Sequence, residues 1–314
     1  GWFSKEIKGP EDLDGLRMRF FGLGAFSNNI VFCQITSFFC VDSKLRMASP
    51  RFCQFFFSDA YGQLRSLEES IDNVPSILEH GVGVDGSSVP GFATVDKSDI
   101  ILMPDPESKR MVEMEGEIVL AYFCNIINRD GTRHPACPRQ ALAKVVEQAK
   151  AMGFRCDMFS ELEFHLLDEK TMMPIDKGTY LELPPNDGAL KFRRELCHLF
   201  EGAGIAVKRL HHEVGHGQNE VEYQLQPVMR NCDNTALGIY LTQSLARKYG
   251  WVAEFNPKPL GAELAGNGLH EHVRLVNIAD GQNPMANPDG SLSDLAHHFV
   301  AGMLKYARQT AAVF

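Results

Sequence analysis

The segment FSELEFHLLD, residues 159–168, sets two carboxylates one residue apart in an otherwise apolar run. Side chains alternate between faces along a strand. As a strand, it would carry Phe159, Glu161, Glu163 and His165 on one face, and Ser160, Leu162, Phe164 and Leu166 on the other. Two acids about 7 Å apart on one face repel unless something positive lies between them. A sheet face open to water would account for this pair by itself. The neighbouring motifs argue for more. HHEVGHGQNEVEYQ puts Glu213 and Glu220 around a glycine-containing turn and sets Glu220, Glu222 and Gln224 on a common face. NGLHEHVRL gives His270 and His272 one face, with Glu271 opposite. Three strands therefore offer carboxylates or imidazoles. Oxygen-rich donor sets suit Mg²⁺ or Mn²⁺, and Mn²⁺ tolerates imidazole more readily. Paired divalent ions among carboxylates are a common way to clamp a phosphoryl group in transfer. The chain has no GxxxxGK[ST] loop, and GVGVDG is not a GxGxxG fingerprint, so any nucleotide is held another way.

These residues need elements to position them. RFCQFFFSDAYGQLRSLEE reads as strand, turn and strand; EHGVGVDGSSVPGF as a Gly/Ser/Pro-rich loop; SDIILMPDP and GEIVLAYFCNII as further strands. Residues 49–133 thus read as a small strand-rich domain. Pro138 opens a helix with Leu142, Val145, Val146 and Ala149 on one face, and Gly153 is placed to end it. The strand 154–168 follows, then a helix carrying Leu196, Leu199 and Phe200 and stopping near Gly202. IAVKRLHHEV and NEVEYQLQ read as strands. Asn234 can cap a helix with Leu237, Leu241 and Leu245 in register; the stretch from FNPKPL to EHVRL returns to strand; and Ser293 caps a last helix.

The 314 residues suffice for one large or two ordinary domains. The formal net charge of -9 argues against a general binder of nucleic acid or anionic membranes. Eight scattered cysteines without a CxxC pair read as reduced thiols in a reducing, cytoplasmic compartment. Residues 1–48 stay unassigned. Within them Phe20 to Cys40 is apolar and aromatic, yet too polar for a spanning helix and too far in for a secretory signal.

The motifs VDGSSVPGF (84–92), SDIILMPDP (98–106), SELEFHLLD (160–168), HHEVGHGQNEVEY (211–223), NPKPL (256–260) and GNGLHEHV (266–273) occur in this order. In order and spacing they resemble the glutamine synthetase family of the bacterial and archaeal type I kind. The resemblance implies an α+β architecture: a β-grasp domain over residues 49–133, then a catalytic domain of curved antiparallel sheet and helices over 134–314, incomplete at its end. It implies ATP and two or more Mg²⁺ or Mn²⁺ ions, with glutamate and ammonia as substrates. Glu161 and His270 resemble ligands of one metal; Glu163, Glu213 and Glu220 resemble ligands of the other; Glu213 and His272 stand near the nucleotide. Asp85 matches the acid that binds and deprotonates ammonium, and Asp99 the second acid of that region. In the family both come from a neighbouring subunit, so a homo-oligomeric ring is implied, with no nucleic-acid or membrane partner.

Three departures qualify the resemblance, one being that residues 1–48 do not look like the usual family start. Ala265 stands where a substrate-contacting Asn is expected, and Arg274 replaces a Ser on the nucleotide side. The family also continues with a segment bearing phosphate-binding arginines, a flap acid and one more metal-ligand Glu, none of which is among the 314 residues. The expectation is a glutamate–ammonia ligase family role with little activity from these residues in isolation. A γ-glutamyl ligase for another amine and a catalytically inactive binding relative are the alternatives. His211, His297 and His298 read as surface or capping residues.

Overall fold

The computed structural model describes residues 49–311, so the 1–48 segment, with Cys33 and Cys40, lies outside the described residues. Among the described residues, 49–283 form one compact unit and 284–311 belong to a second.

The larger unit begins with a six-stranded sheet in the order β2-β1-β6-β4-β3, with β5 on the free side of β6. Its strands are β1 (Phe52–Ser58), β2 (Leu64–Ser70), β3 (Val82–Asp85), β4 (Asp99–Pro104), β5 (Arg110–Met114) and β6 (Glu117–Asn128). β1 reads FCQFFFS and is buried on both faces, the expected composition for a central strand. It pairs antiparallel with β2 and parallel with β6. The short helix α1 (Val74–His80) carries proline in its first turn and buries Val74 and Ile77. They join Cys53, Phe55, Phe57, Ile100 and Leu102 in one apolar layer. This is the β-grasp arrangement. The stretch expected to be loop contains β3 and the last two residues of α1, and most of α1 and all of β5 lie in segments left unread. β3 is four residues alternating with glycine, too little apolar pattern to show as a strand.

The second sheet is organised by β7 (Phe154–Asp168), which spans 15 residues. On one edge it pairs with β10 (Gln226–Pro227) and β9 (Gln218–Tyr223), and β9 pairs in turn with β8 (Val207–His212). On the other edge it pairs with β12 (Leu269–Asn277) and β11 (Trp251–Glu254), every pairing antiparallel. Three helices complete this part: α2 (Pro138–Ala151), α3 (Leu190–Gly202) and α4 (Val228–Lys248). α4 starts at Val228, right after Pro227, not at an Asn234 cap. Asn234 is an interior, fully buried helical residue, hydrogen-bonded to Arg110 and Gln226. Tertiary partners thus overrode its capping tendency. Of the stretch 255–275 expected to return to strand, only Leu269 onward does so, in β12; residues 255–268 are irregular, and β11 ends just before them. Val145 on α2, read as part of a packed face, is 57% exposed.

The two sheets share a core. Phe56, Val112, Val119, Ala121 and Phe123 of the β-grasp sheet join Leu162, Phe164, Leu196, Phe200, Leu237 and Leu241 in one buried cluster. Arg139 of α2 adds a polar clamp between the parts, 2.6 Å from Asp105 and 3.0 Å from Asp233. Within the other unit, Ser293 accepts a hydrogen bond from the Ala296 amide and opens helix α5 (Asp294–Thr310), as its capping pattern suggests. The six described cysteines are unpaired. Among the described residues, no helix is long and apolar enough to cross a membrane.

A carboxylate and imidazole face as candidate metal centre

β7 alternates as its sequence requires. Leu162, Phe164 and Leu166 enter the core, and Glu161, Glu163 and His165 face the other way. Backbone register then gathers the remaining groups. Glu161 lies opposite Glu222 on β9 and opposite His270 on β12; Glu163 lies opposite Glu220, and Glu220 opposite His211. Since partners in register share a face, acids and imidazoles from four strands converge. The face is not simply open to water: Glu163, Glu220 and Glu222 are 8%, 6% and 3% exposed.

His270 Nδ1 lies 3.0 Å from Glu161 Oε2 and 3.5 Å from Glu163 Oε1. His272 Nε2 is 2.8 Å from Glu161 Oε1, close enough for an ion pair though not aligned as a hydrogen bond. Glu163 Oε2 accepts from Gln218 Nε2 at 2.8 Å and from the Gly268 amide at 3.0 Å, which turns Oε1 toward His270. Gly268 is needed there. A Cβ would lie 2.8 Å from His270 Nε2 and 3.2 Å from Glu163 Oε1. On the β8–β9 side, His211 Nε2 is 3.2 Å from Glu220 and its Nδ1 is 3.5 Å from Glu213.

These atoms form two groups, Glu161 with Glu220 and His270, and His211 with Glu213 and Glu220; within each, the potential ligand atoms lie within 4.8 Å of one another. The donor sets are oxygen with imidazole nitrogen, which suits Mn²⁺ or Mg²⁺. A third group, Asp176, Asp187 and His212, has the same spacing but is already satisfied. His212 bonds Asp176, Arg193 bonds Asp187, and the amides of Gly188 and Gly217 take the rest of Asp176.

The electrostatics report the crowding. Burial, together with Glu220 and Glu213, pushes Glu163 up to about 7 against the opposing pull of the Gly268 amide and His270. Burial also raises Glu213, with Glu220 adding to it. For His211 burial acts downward, but Glu220 and Glu213 outweigh it and its pKa is raised. Carboxylates held above their usual range beside imidazoles held up by them are what a site short of positive charge looks like.

Every ligand-type residue expected from the sequence lies on this face: Glu161, Glu163, Glu213, Glu220, His270 and His272. Asp85 and Asp99 do not join it. They pair in register on β3 and β4. Asp85 accepts from the Ser87 and Ser88 hydroxyls, and Asp99 meets Arg129 at 3.2 Å, all within the β-grasp domain.

The surface reading of His211 is corrected. It is buried, because strand alternation sets it on the face of Glu213 and register sets it against Glu220. The spacing His211-x-Glu213 carried that signal. His297 and His298 are exposed on α5, as expected. Glu222, read on the face of Glu220, has partners the sequence reading missed: it is ion-paired to Lys208 at 2.7 Å and Arg209 at 2.9 Å. Phe159 stacks flat on His272 at 4.2 Å, with the Lys208 ammonium 4.5 Å from the Phe159 ring centre. Ala265 lies beside Gly215, where an added Cβ would come 3.0 Å from the Ala265 methyl.

A β-grasp sheet thus shares its core with an antiparallel sheet whose other face carries acids and imidazoles. Residues 49–129 match the family described as glutamine synthetase, beta-Grasp domain, and residues 135–314 the one described as glutamine synthetase, catalytic domain. The chain is 32% identical over 273 residues to the glutamine synthetase of Thermococcus kodakarensis, covering 86% of this chain and 60% of the relative. It is 34% identical over 274 residues to that of Mycolicibacterium smegmatis, covering 84% and 61%. Among solved structures, one titled a GmaS/ADP complex superposes with a TM-score of 0.76 at 25% identity, covering 83% of this chain and 61% of that one. Plasmodium falciparum glutamine synthetase shares the fold, with a TM-score of 0.74 at 21% identity over 84% of this chain and 58% of that one. The chain belongs to the glutamine synthetase family. It spans about three fifths of the length of these relatives.

Proposed function

We propose that this chain carries the metal-binding part of an ATP-dependent ligase that joins ammonia to the γ-carboxylate of glutamate. The observation that carries the reading is the convergence of Glu161, Glu163, Glu213, Glu220 and His270 on one half-buried sheet face. Glu161 and His270, with Glu220, would hold one divalent ion; Glu213, Glu220 and Glu163, with His211, would hold the other. Such ions neutralise charge on the phosphates and on the substrate carboxylate. ATP phosphorylates the γ-carboxylate, which converts a poor leaving group into a good one, and ammonia displaces the phosphate. His272, set by Phe159, stands on the nucleotide side together with Glu213. Asp85 favours ammonium and takes its proton. Its bonds to Ser87 and Ser88 hold its pKa below the usual value, so it is an anion at neutral pH. In this reading Asp85 and Asp99 serve a neighbouring copy in a homo-oligomeric ring, because their own bonds stay within the β-grasp domain. Unpaired thiols suit a reducing cytoplasm.

Ala265 supports a second reading, ligation of glutamate to an amine other than ammonia, since the loop beside the site lacks the expected Asn.

Calorimetric titration with Mn²⁺ and Mg²⁺, comparing the wild type with Glu163→Ala, is the first test. Loss of one site in the variant supports the metal reading, and absence of binding at millimolar ion overturns it. ATP-dependent amide formation from glutamate and a panel of amines then separates the substrates. Turnover with ammonia alone would sink the second reading.

A further inference from the structure

β12 is an edge strand whose exposed first half carries both histidines of the site. Strand ends of this kind fray. The imidazole of His270 is 58% exposed and is held by Glu161 and Glu163. A bound ion would take those same atoms. Whatever fixes His270 in the loaded site must therefore act from the opposite face of the strand.

The opposite face holds Glu271, between the two histidines. It pairs in register with Ser160, which precedes Glu161. The Ser160 hydroxyl donates to Glu271 Oε1 at 2.8 Å, and Asn231 Nδ2 donates to Oε2 at 3.1 Å. Ser160 and Asn231 are fully buried. Asn231 in turn is oriented from the β-grasp domain. Arg110 donates to Asn234 Oδ1 at 2.7 Å; Asn234 Nδ2 donates to Gln226 Oε1 at 2.8 Å; Gln226 Nε2 donates to Asn231 Oδ1 at 3.1 Å. A guanidinium can only donate and a carboxylate can only accept. With a cation at one end and an anion at the other, every amide between them has one permitted orientation. Glu271 is itself exposed, and among the described residues it is the buried Ser160 and Asn231 that anchor its carboxylate. Buried polar groups are costly unless every member is bonded, and a fully bonded chain fixes geometry.

We propose that Glu271 is a positioning residue: anchored through Ser160 and the Asn231 relay to Arg110, it clamps β12 so that His270 stands at ligand distance from Glu161. This rests on the metal reading above. The clamp makes the Glu161–His270 site, and not the His211–Glu213 site, depend on a residue that touches no ligand atom.

The test is Mn²⁺ binding followed by electron paramagnetic resonance of the free ion, with the two sites assigned through Glu161→Gln and Glu213→Gln. Glu271→Leu keeps volume and removes both hydrogen bonds. It is expected to weaken the Glu161–His270 site about tenfold or more and to leave the other site within about twofold, with an unchanged circular dichroism spectrum. Glu271→Gln, which can still accept from Asn231 and bond Ser160, is expected to restore most of the affinity. Unchanged affinity at both sites in Glu271→Leu, or equal weakening of both, overturns the clamp while leaving the metal reading intact. A wild-type chain that binds no Mn²⁺ overturns both.

Discussion

Glu161 and His270 are direct cross-strand partners, with His270 Nδ1 3.0 Å from Glu161 Oε2, although 109 residues separate them in the chain. Register between β7 and β12 is what brings them together. Glu161→Gln keeps the shape and removes the charge. Its divalent-ion affinity is expected to fall at least about 100-fold at that site, beyond the 10–100-fold usual for residues that only support a ligand. Calorimetry with Mn²⁺ reads this directly, and an unaltered isotherm would remove Glu161 from the ligand set.

Glu163 titrates at about 7 because burial and the neighbouring acids oppose its charge. Its folded value lies above its unfolded one, so ionising it costs the metal-free chain stability as pH rises from about 4.5 to about 7. An ion needs the carboxylate charged, so binding expels a proton wherever the pH lies below about 7. Affinity is expected to climb up to about tenfold per pH unit below pH 7 and to level off above it. Titration at pH 6 and pH 8 in buffers of different ionisation enthalpy counts the proton. Glu163→Gln should shrink the difference, leaving the share that comes from His211.

Asp176 and His212 form a buried pair 3.0 Å apart, and Asp176 also accepts from the Gly217 amide in the turn after Glu213. Burial raises Asp176, but the His212 bond and the amides of Gly188 and Gly217 outweigh it and hold it at about 2. Burial lowers His212, yet Asp176 and the Glu213 carbonyl bring it above its usual value. An acid held low stabilises the fold above its unfolded pKa and loses this as pH falls toward 2. An imidazole held high stabilises the fold below its unfolded pKa and loses this as pH rises through the raised value. The pair therefore contributes most between about pH 4 and 6.5. Asp176→Asn is expected to cost about 3 kcal/mol at pH 5 and clearly less at pH 9. Urea midpoints at the two values check it, and an equal penalty at both would trace the loss to something other than the ion pair.

Replacing glycine by alanine inside a helix normally gains about 1 kcal/mol. Gly238 in α4 is an exception, because an added Cβ would collide with the Tyr223 hydroxyl and press on the Phe200 ring, both fully buried. Overpacking of this kind costs about 1–3 kcal/mol. Gly238→Ala is therefore expected to lower the thermal midpoint, and Tyr223→Phe in the same chain to recover part of the loss. A midpoint raised by Gly238→Ala alone would show that α4 can shift away.

Much of this was legible in local pattern. The alternation in FSELEFHLLD separates the core face of β7 from its acidic face, and the strand observed is the one read from it. Pro138 and Ser293 mark helix starts because their chemistry acts within one turn. Residue type singled out the acids and imidazoles of these strands as in need of a reason, and the resemblance to the family picked Glu161, Glu163, Glu213, Glu220 and His270 from among them. What local pattern could not supply was register and burial. Asn234 has the composition of a cap, yet it lies inside α4 because Arg110, distant in sequence, satisfies its side chain. His211 has the composition of a surface residue, yet pairing with β9 drives it against Glu220. Glu271 is one more exposed-looking acid until β12 is laid along β7 and Ser160 appears beneath it. The sequence by itself determined which residues can donate to a cation and which face of each strand they occupy, because alternation is a property of the single chain. Only the tertiary structure decided which donors meet and which are shielded from water, because cross-strand register and the shared core of the two sheets are set by contacts between segments that the local pattern treats as independent.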